Sequence, residues 1–189
     1  MPQFVGTGVA LPGVYSHLHV ASDFEELVMT DVLQALQDAV GRAAGVVGPS
    51  VVGLGRGWGR GSGVVTAPGT VLTVPHALRG EQVAVSFADG TTAEGRLDGV
   101  DETVGLARIA VETGDAPAIA WDPALAEAVA LGQAVIAVAN PGGRGLRVSL
   151  GFVTATAVRS RGRRGGSAIE HGAPLPRGSS GAPLVDAAG

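Results

Sequence analysis

Gly178-Ser179-Ser180-Gly181-Ala182-Pro183-Leu184-Val185 puts two hydroxyls between glycines, immediately before an apolar pair that reads as a strand. Glycine at 178 and 181 opens backbone angles closed to other residues, so the chain can turn tightly around Ser180 and converge N–H groups on one point beside its hydroxyl. Ser180 is therefore a candidate nucleophile lying next to a candidate oxyanion hole. Taken alone, the stretch reads equally well as a polar turn between two strands, because Gly and Ser are the commonest turn residues. The rest of the chain decides between the two.

Composition narrows the chemistry that can surround Ser180. Cysteine is absent, which excludes disulfides, thiolate nucleophiles and Cys-ligated zinc. Lysine is absent too, so a Ser-Lys dyad, a Schiff base and a phosphate-binding lysine are excluded together, and histidine remains as the base for Ser180. The four histidines are His17, His19, His76 and His171. His17-x-His19 supplies only two ligands on an N-terminal leader, so neither a metal nor a cofactor is expected. A net charge of -4, from 13 arginines against 17 acids, is too mild and mixed to call for nucleic acid or an anionic membrane as partner. The basic run Arg159 to Gly166 reads as an exposed hairpin tip. No secretory signal or membrane-spanning run is visible, so the expected compartment is the cytoplasm.

With 46% apolar residues, 4% aromatics and 31 glycines, the core must be built from aliphatic side chains on many short strands, an all-β prior. Residues 1–21 carry no readable period and are expected to form a disordered leader. Ser22-x-x-Glu25 is a capping box, and Phe24, Leu27, Val28, Val32, Leu36 and Val40 follow at helical spacing, which predicts an amphipathic helix over 22–46 with stop points at Gly41 and Gly45. Strand signals then crowd into 47–114: Val51 to Leu54, Gly63 to Thr66, Val71 to Val74, a hairpin turning at Asp89-Gly90, and Leu106 to Val111. That makes about six strands, enough to close a small barrel. After a linker-like Gly114 to Pro117, residues 115–189 repeat the style, with a buried strand to Ala139, a turn at Asn140-Pro141-Gly142-Gly143, and a long strand or strand pair over Leu146 to Val158 that bends at Gly151. His76 stands where the buried strand Val71 to Val74 hands over, through Pro75, to a short helical turn, so a rigid element holds it in place for proton transfer.

Gly61-Ser62-Gly63-Val64-Val65, Val71-Leu72-Thr73-Val74-Pro75-His76-Ala77, Val135 to Gly142 and the Ser180 segment match, in order and spacing, the GSGxVI, ILTNxHV-like, AIGNP and GNSGGPLV patterns of one family. Over about residues 47 to 189 the chain resembles trypsin-like serine proteases of the bacterial HtrA (Deg) type. The resemblance implies two six-stranded antiparallel barrels with the site in the cleft between them. It also implies His76 as general base, Ser180 as nucleophile, and the N–H groups of Gly178 and Ser180 as the oxyanion hole.

Three departures from that pattern qualify the expectation. The segment that carries the family's catalytic aspartate reads Gly105-Leu106-Ala107 here, so the triad acid is missing, with Asp101 the candidate substitute and Asp98 also near. GNSGG reads Gly178-Ser179-Ser180-Gly181-Ala182. The sequence stops at Gly189 inside a hairpin turn, so the second barrel is expected to be incomplete by about two strands, and a second copy or another chain is a candidate to complete it. The expected function is a slow serine endopeptidase acting on peptides or unfolded proteins. The alternative is an inactive pseudoprotease that binds a peptide or protein in the same cleft.

Overall fold

Aliphatic alternation, and not aromatic bulk, closes the first barrel. The computed structural model describes residues 15–55, 61–121, 128–158 and 168–189. Six short strands, β1 (Val51–Leu54), β2 (Gly61–Ala67), β3 (Thr70–Thr73), β4 (Gln82–Ser86), β5 (Thr92–Asp101) and β6 (Leu106–Ala110), form a closed antiparallel barrel in the order β1-β2-β3-β6-β5-β4. Along β4 and β6 every second residue points inward, so Val83, Val85, Ala107 and Ile109 are buried while their neighbours are not. The interior is Val52, Leu54, Val65, Val71, Val83, Val85, Phe87, Ile109 and Val111. So narrow a barrel needs a small residue where two branched ones meet: a Cβ on Gly95 would lie 2.6 Å from Ile109 Cγ2. At the β4–β5 turn the Asp89 carboxylate accepts from both the N–H and the hydroxyl of Thr91, at 2.8 and 2.7 Å, which holds its carboxyl below the usual carboxylate range.

The second half is an antiparallel sheet of four strands, β7 (Ala134–Ala139), β8 (Arg147–Val158), β9 (Ala168–His171) and β10 (Leu184–Val185), in the order β10-β7-β8-β9. Among the described residues it stays open, a curled half-barrel with β9 and β10 as its outer edges. β8 is a single strand, and Gly151 is there for close approach more than for a bend, because a Cβ at that position would run into the backbone of Ala173. The segment read as a linker is tied to the first barrel: Ala116 packs against its core, and the Ile119 N–H donates to the Val65 carbonyl at 2.8 Å.

α1 spans Tyr15–Val47, beginning seven residues before Ser22 and running through both Gly41 and Gly45. A capping box is a good start signal, but nothing from Tyr15 to Ala21 forbids helix, and a lone glycine costs only about 1 kcal/mol within one. The 3-10 turn Gly48–Ser50, which carries Pro49, ends it instead. Of the expected leader, residues 1–14 lie outside the described residues, as does the basic run 159–166. The chain divides into two compact units, residues 1–38 and Ala39–Gly189. Within the second, Ala43 and Val47 pack with Val51, Ile136 and Val138 in a second core cluster. In the first, Met29, Val32, Leu33 and Leu36 are exposed.

Ile109 is fully buried between β3 and β5, and truncating it leaves a hole that the closed barrel cannot collapse around. Ile109→Ala is expected to lower unfolding free energy by about 2–5 kcal/mol in urea titration, and a loss under 1 kcal/mol would mean that the barrel repacks freely.

Candidate active site

Gly61 and Ser62, at the start of β2, are where the two halves of the molecule meet. On one side lies the 3-10 turn Pro75–Ala77, whose middle residue is His76. Pro75 pre-sets the turn, and it is closed by Ala77 N–H to Val74 O at 3.1 Å and Leu78 N–H to Pro75 O at 3.0 Å. On the other side lies the turn at Ser180. A Cβ built on Gly61 would sit 2.6 Å from Ala77 Cβ and 3.3 Å from the Ser180 carbonyl oxygen, so only glycine lets the His76 turn and the Ser180 turn close on the same point. Ala77 is buried beneath, while the side chains of His76 and Ser180 face solvent.

The Ser180 turn has the backbone its glycines call for. Gly178 and Gly181 have φ of 88° and 87°, in the left-handed region that side chains disfavour. Ser179 N–H donates to Pro176 O and Ala182 N–H to Ser179 O. Among the described residues, the N–H groups of Gly178 and Ser180 have no hydrogen-bond acceptor. A Cβ on Gly181 would overlap the Ser62 carbonyl and Thr73 Oγ1, which packs the turn directly onto the first barrel.

Ser62 holds that packing together. It is fully buried, its N–H donates to the Ser180 carbonyl at 2.9 Å, and its hydroxyl donates to the Gly178 carbonyl at 2.9 Å. The same hydroxyl accepts from the Asn140 N–H at 3.0 Å, and the Ser62 carbonyl accepts from Thr73 Oγ1 at 2.7 Å. Asn140, buried after β7, accepts in turn from the Gly145 N–H through Oδ1 at 3.2 Å. Sequence reasoning quoted Ser62 but gave it no role. A small hydroxyl residue between two glycines in an otherwise apolar strand was the available signal.

The acid position is built differently. Gly105 is buried at the head of β6 with φ of 69°, and its N–H donates to the Asp101 carbonyl at 2.8 Å. The β3–β6 pairing ends at Thr73↔Ala107, two residues before Pro75 on one strand and two residues after Gly105 on the other. Asp101 is exposed, and its Oδ1 is taken by the N–H groups of Thr103 and Val104 at 2.8 and 3.3 Å. Asp98 pairs with Arg108 at 2.6 Å. The His76 side chain has no hydrogen-bond partner among the described residues.

A closed six-stranded barrel joined to a second antiparallel sheet, with a histidine from the first and a Gly-Ser-Gly turn from the second meeting at one strand, defines the class of double-barrel serine peptidases. Residues 61–189 match the trypsin-like peptidase domain, and the chain belongs to that family. It is similar to the HhoA protein of Synechocystis sp., with 32% identity over 138 residues covering 69% of this chain and 35% of that one. It is also similar to the serine endoprotease DegS of Haemophilus influenzae, with 31% identity over 133 residues covering 68% and 38%. The chain thus spans about a third of the length of these relatives. Among solved structures it resembles the HtrA-type protease AlgW with tripeptide, with a TM-score of 0.69 and 29% identity over 79% of this chain and 51% of that one. A second AlgW structure, with decapeptide, has the same TM-score at 24% identity and supports the fold alone.

Gly181→Ala would have to strain a left-handed φ and displace both Ser62 and Thr73. A loss of about 2–4 kcal/mol in unfolding free energy is expected by urea titration, and an unchanged midpoint would show that the turn is not packed against β2 as described.

Proposed function

We propose that this domain is a serine endopeptidase that cleaves extended peptides through an acyl-enzyme on Ser180, with His76 as the proton carrier. The observation that carries the reading is the junction at Gly61, where the His76 turn and the Ser180 turn close on one point. In this reading His76 takes the Ser180 proton as Oγ attacks the peptide carbonyl, then delivers it to the leaving amine. The free N–H groups of Gly178 and Ser180 receive the developing oxyanion. Water then attacks the ester with His76 again as base, which releases the second product and regenerates Ser180. Supporting a peptide substrate, the neighbour AlgW was solved with tripeptide.

Turnover is proposed to be slow, because no carboxylate at Gly105 orients His76 or supports its charged form. In a complete triad, replacing the acid by its amide costs about 10⁴ in rate. The test is capture by a fluorophosphonate probe, comparing the native chain with Ser180→Ala and His76→Ala. Capture of the native chain alone is expected. If none of the three is captured while the native chain is folded, the site does not activate Ser180 and the peptide-binding alternative takes over.

Gly105 separates two effects that one substitution would confuse. Gly105→Ala strains the left-handed backbone without adding a carboxylate, and should cost about 1 kcal/mol of stability with no gain in capture rate. Gly105→Asp carries the same strain and adds the acid, and is expected to raise capture at least tenfold over Gly105→Ala. Equal rates for the two variants would show that the absent acid is not what limits His76.

A further inference from the structure

We infer that Ser62 is a positioning residue for the oxyanion turn: its buried hydroxyl, held by the Asn140 N–H, anchors the Gly178 carbonyl while its N–H anchors the Ser180 carbonyl, and the peptide that carries the Ser180 N–H is held between those two anchored planes. The inference rests on the reading of Ser180 as nucleophile for its catalytic meaning, while its structural content can be measured without activity.

Three observations carry it. First, Ser62 reaches the turn twice, by N–H to the Ser180 carbonyl and by Oγ to the Gly178 carbonyl, both at 2.9 Å, so two of the turn's carbonyls are aimed at β2. Each carbonyl shares its peptide plane with the N–H of the next residue, so these two bonds fix the planes of the Ser179 and Gly181 N–H groups; the plane that carries the Ser180 N–H lies between them, and the one that carries the Gly178 N–H lies immediately before. The glycines at 178 and 181 would otherwise leave that backbone the widest choice of angles in the segment. Second, the hydroxyl has one proton to give, and its direction is determined. The Asn140 N–H can only donate, so it occupies a lone pair of Oγ at 3.0 Å, and the Ser62 proton goes to the Gly178 carbonyl. Third, no water can substitute for Ser62 without a cavity, because the residue is fully buried. Removing the hydroxyl therefore leaves a part-buried acceptor on Gly178 and a buried donor on Asn140 without their partner at once. The turn can relieve the first by rotating the Gly178–Ser179 peptide, which breaks the Ser179 N–H bond to Pro176 O and shifts the adjoining planes that carry the Gly178 and Ser180 N–H groups.

The arrangement also explains why one turn, far along the chain, adopts an open conformation with both N–H groups unused. Thr73, in the strand that leads to His76, donates to the Ser62 carbonyl at 2.7 Å. The residue that aims the oxyanion turn is thus bonded to the element that presents the base.

The test uses the whole chain in four forms: native, Ser62→Ala, Ser62→Cys and Val65→Ala. Cysteine keeps nearly the shape of serine with a much weaker donor, so it folds where alanine is too disruptive. Val65→Ala removes buried volume from the same strand without touching the turn, and serves as the stability control. Two readouts are taken, the amide resonances of Gly178 to Gly181 in ¹H–¹⁵N spectra and the fluorophosphonate capture rate. Both Ser62 variants are expected to move the turn amides well beyond the changes in Val65→Ala, and to slow capture by about ten- to a hundredfold. Turn amides that move no more in the Ser62 variants than in Val65→Ala would overturn the inference, leaving Ser62 a structural residue only. If the native chain is not captured at all, the endopeptidase reading fails, and the amide shifts still decide whether Ser62 sets the turn.

Discussion

Everything in the site depends on one buried hydroxyl-bearing residue in an apolar strand. Ser62 is bonded to Thr73 in the first barrel, Asn140 at the end of β7, and Gly178 and Ser180 in the turn, so it joins segments more than a hundred residues apart. Such bonds are individually modest against water, yet around the buried Ser62 and Asn140 an unmade one is costly. That asymmetry makes the junction specific. Slipping β2 by one residue would lose all of them together and would turn its buried side chains outward.

Gly61 and Gly181 are the steric counterpart of those bonds. At Gly61 a methyl group would collide with Ala77 of the same barrel and press on the Ser180 carbonyl at 3.3 Å, and at Gly181 it would collide with Ser62 and Thr73 of the other half, so the two halves approach closely there. Close approach lets short turns, and not long flexible side chains, carry His76 and Ser180. Both residues remain exposed because only their backbones are used as anchors, which leaves the functional atoms toward a substrate.

Gly105 stands where the family resemblance leads one to expect the catalytic aspartate. Its left-handed φ and its N–H bond to Asp101 make the Asp101 to Gly105 turn self-contained, and Asp101 spends its carboxylate on that turn's own N–H groups. In this structure Asp101 Oδ1 is engaged within its own turn. Asp98, on a strand facing β6, finds Arg108 for the same local reason.

Much of this was legible in the residues themselves. The strands of the first barrel follow from period-two aliphatic alternation, the hairpin from Asp89-Gly90, and Ser180 and His76 from their settings at a glycine turn and a strand end, because each is a local signal of a few residues. Helix limits were not: Ser22 and Gly45 are recognisable cap signals, but a helix runs past weak ones until something such as Pro49 forbids it. Nor were Gly151 as a crossing point, the tie between Ile119 and Val65, and above all the role of Ser62. By itself the sequence determined the class of fold, the nucleophile and base candidates, and the absence of a carboxylate at 105. Which turn is held by which strand, and where each carbonyl points, was decided by tertiary structure, because those bonds join residues whose separation along the chain carries no local pattern.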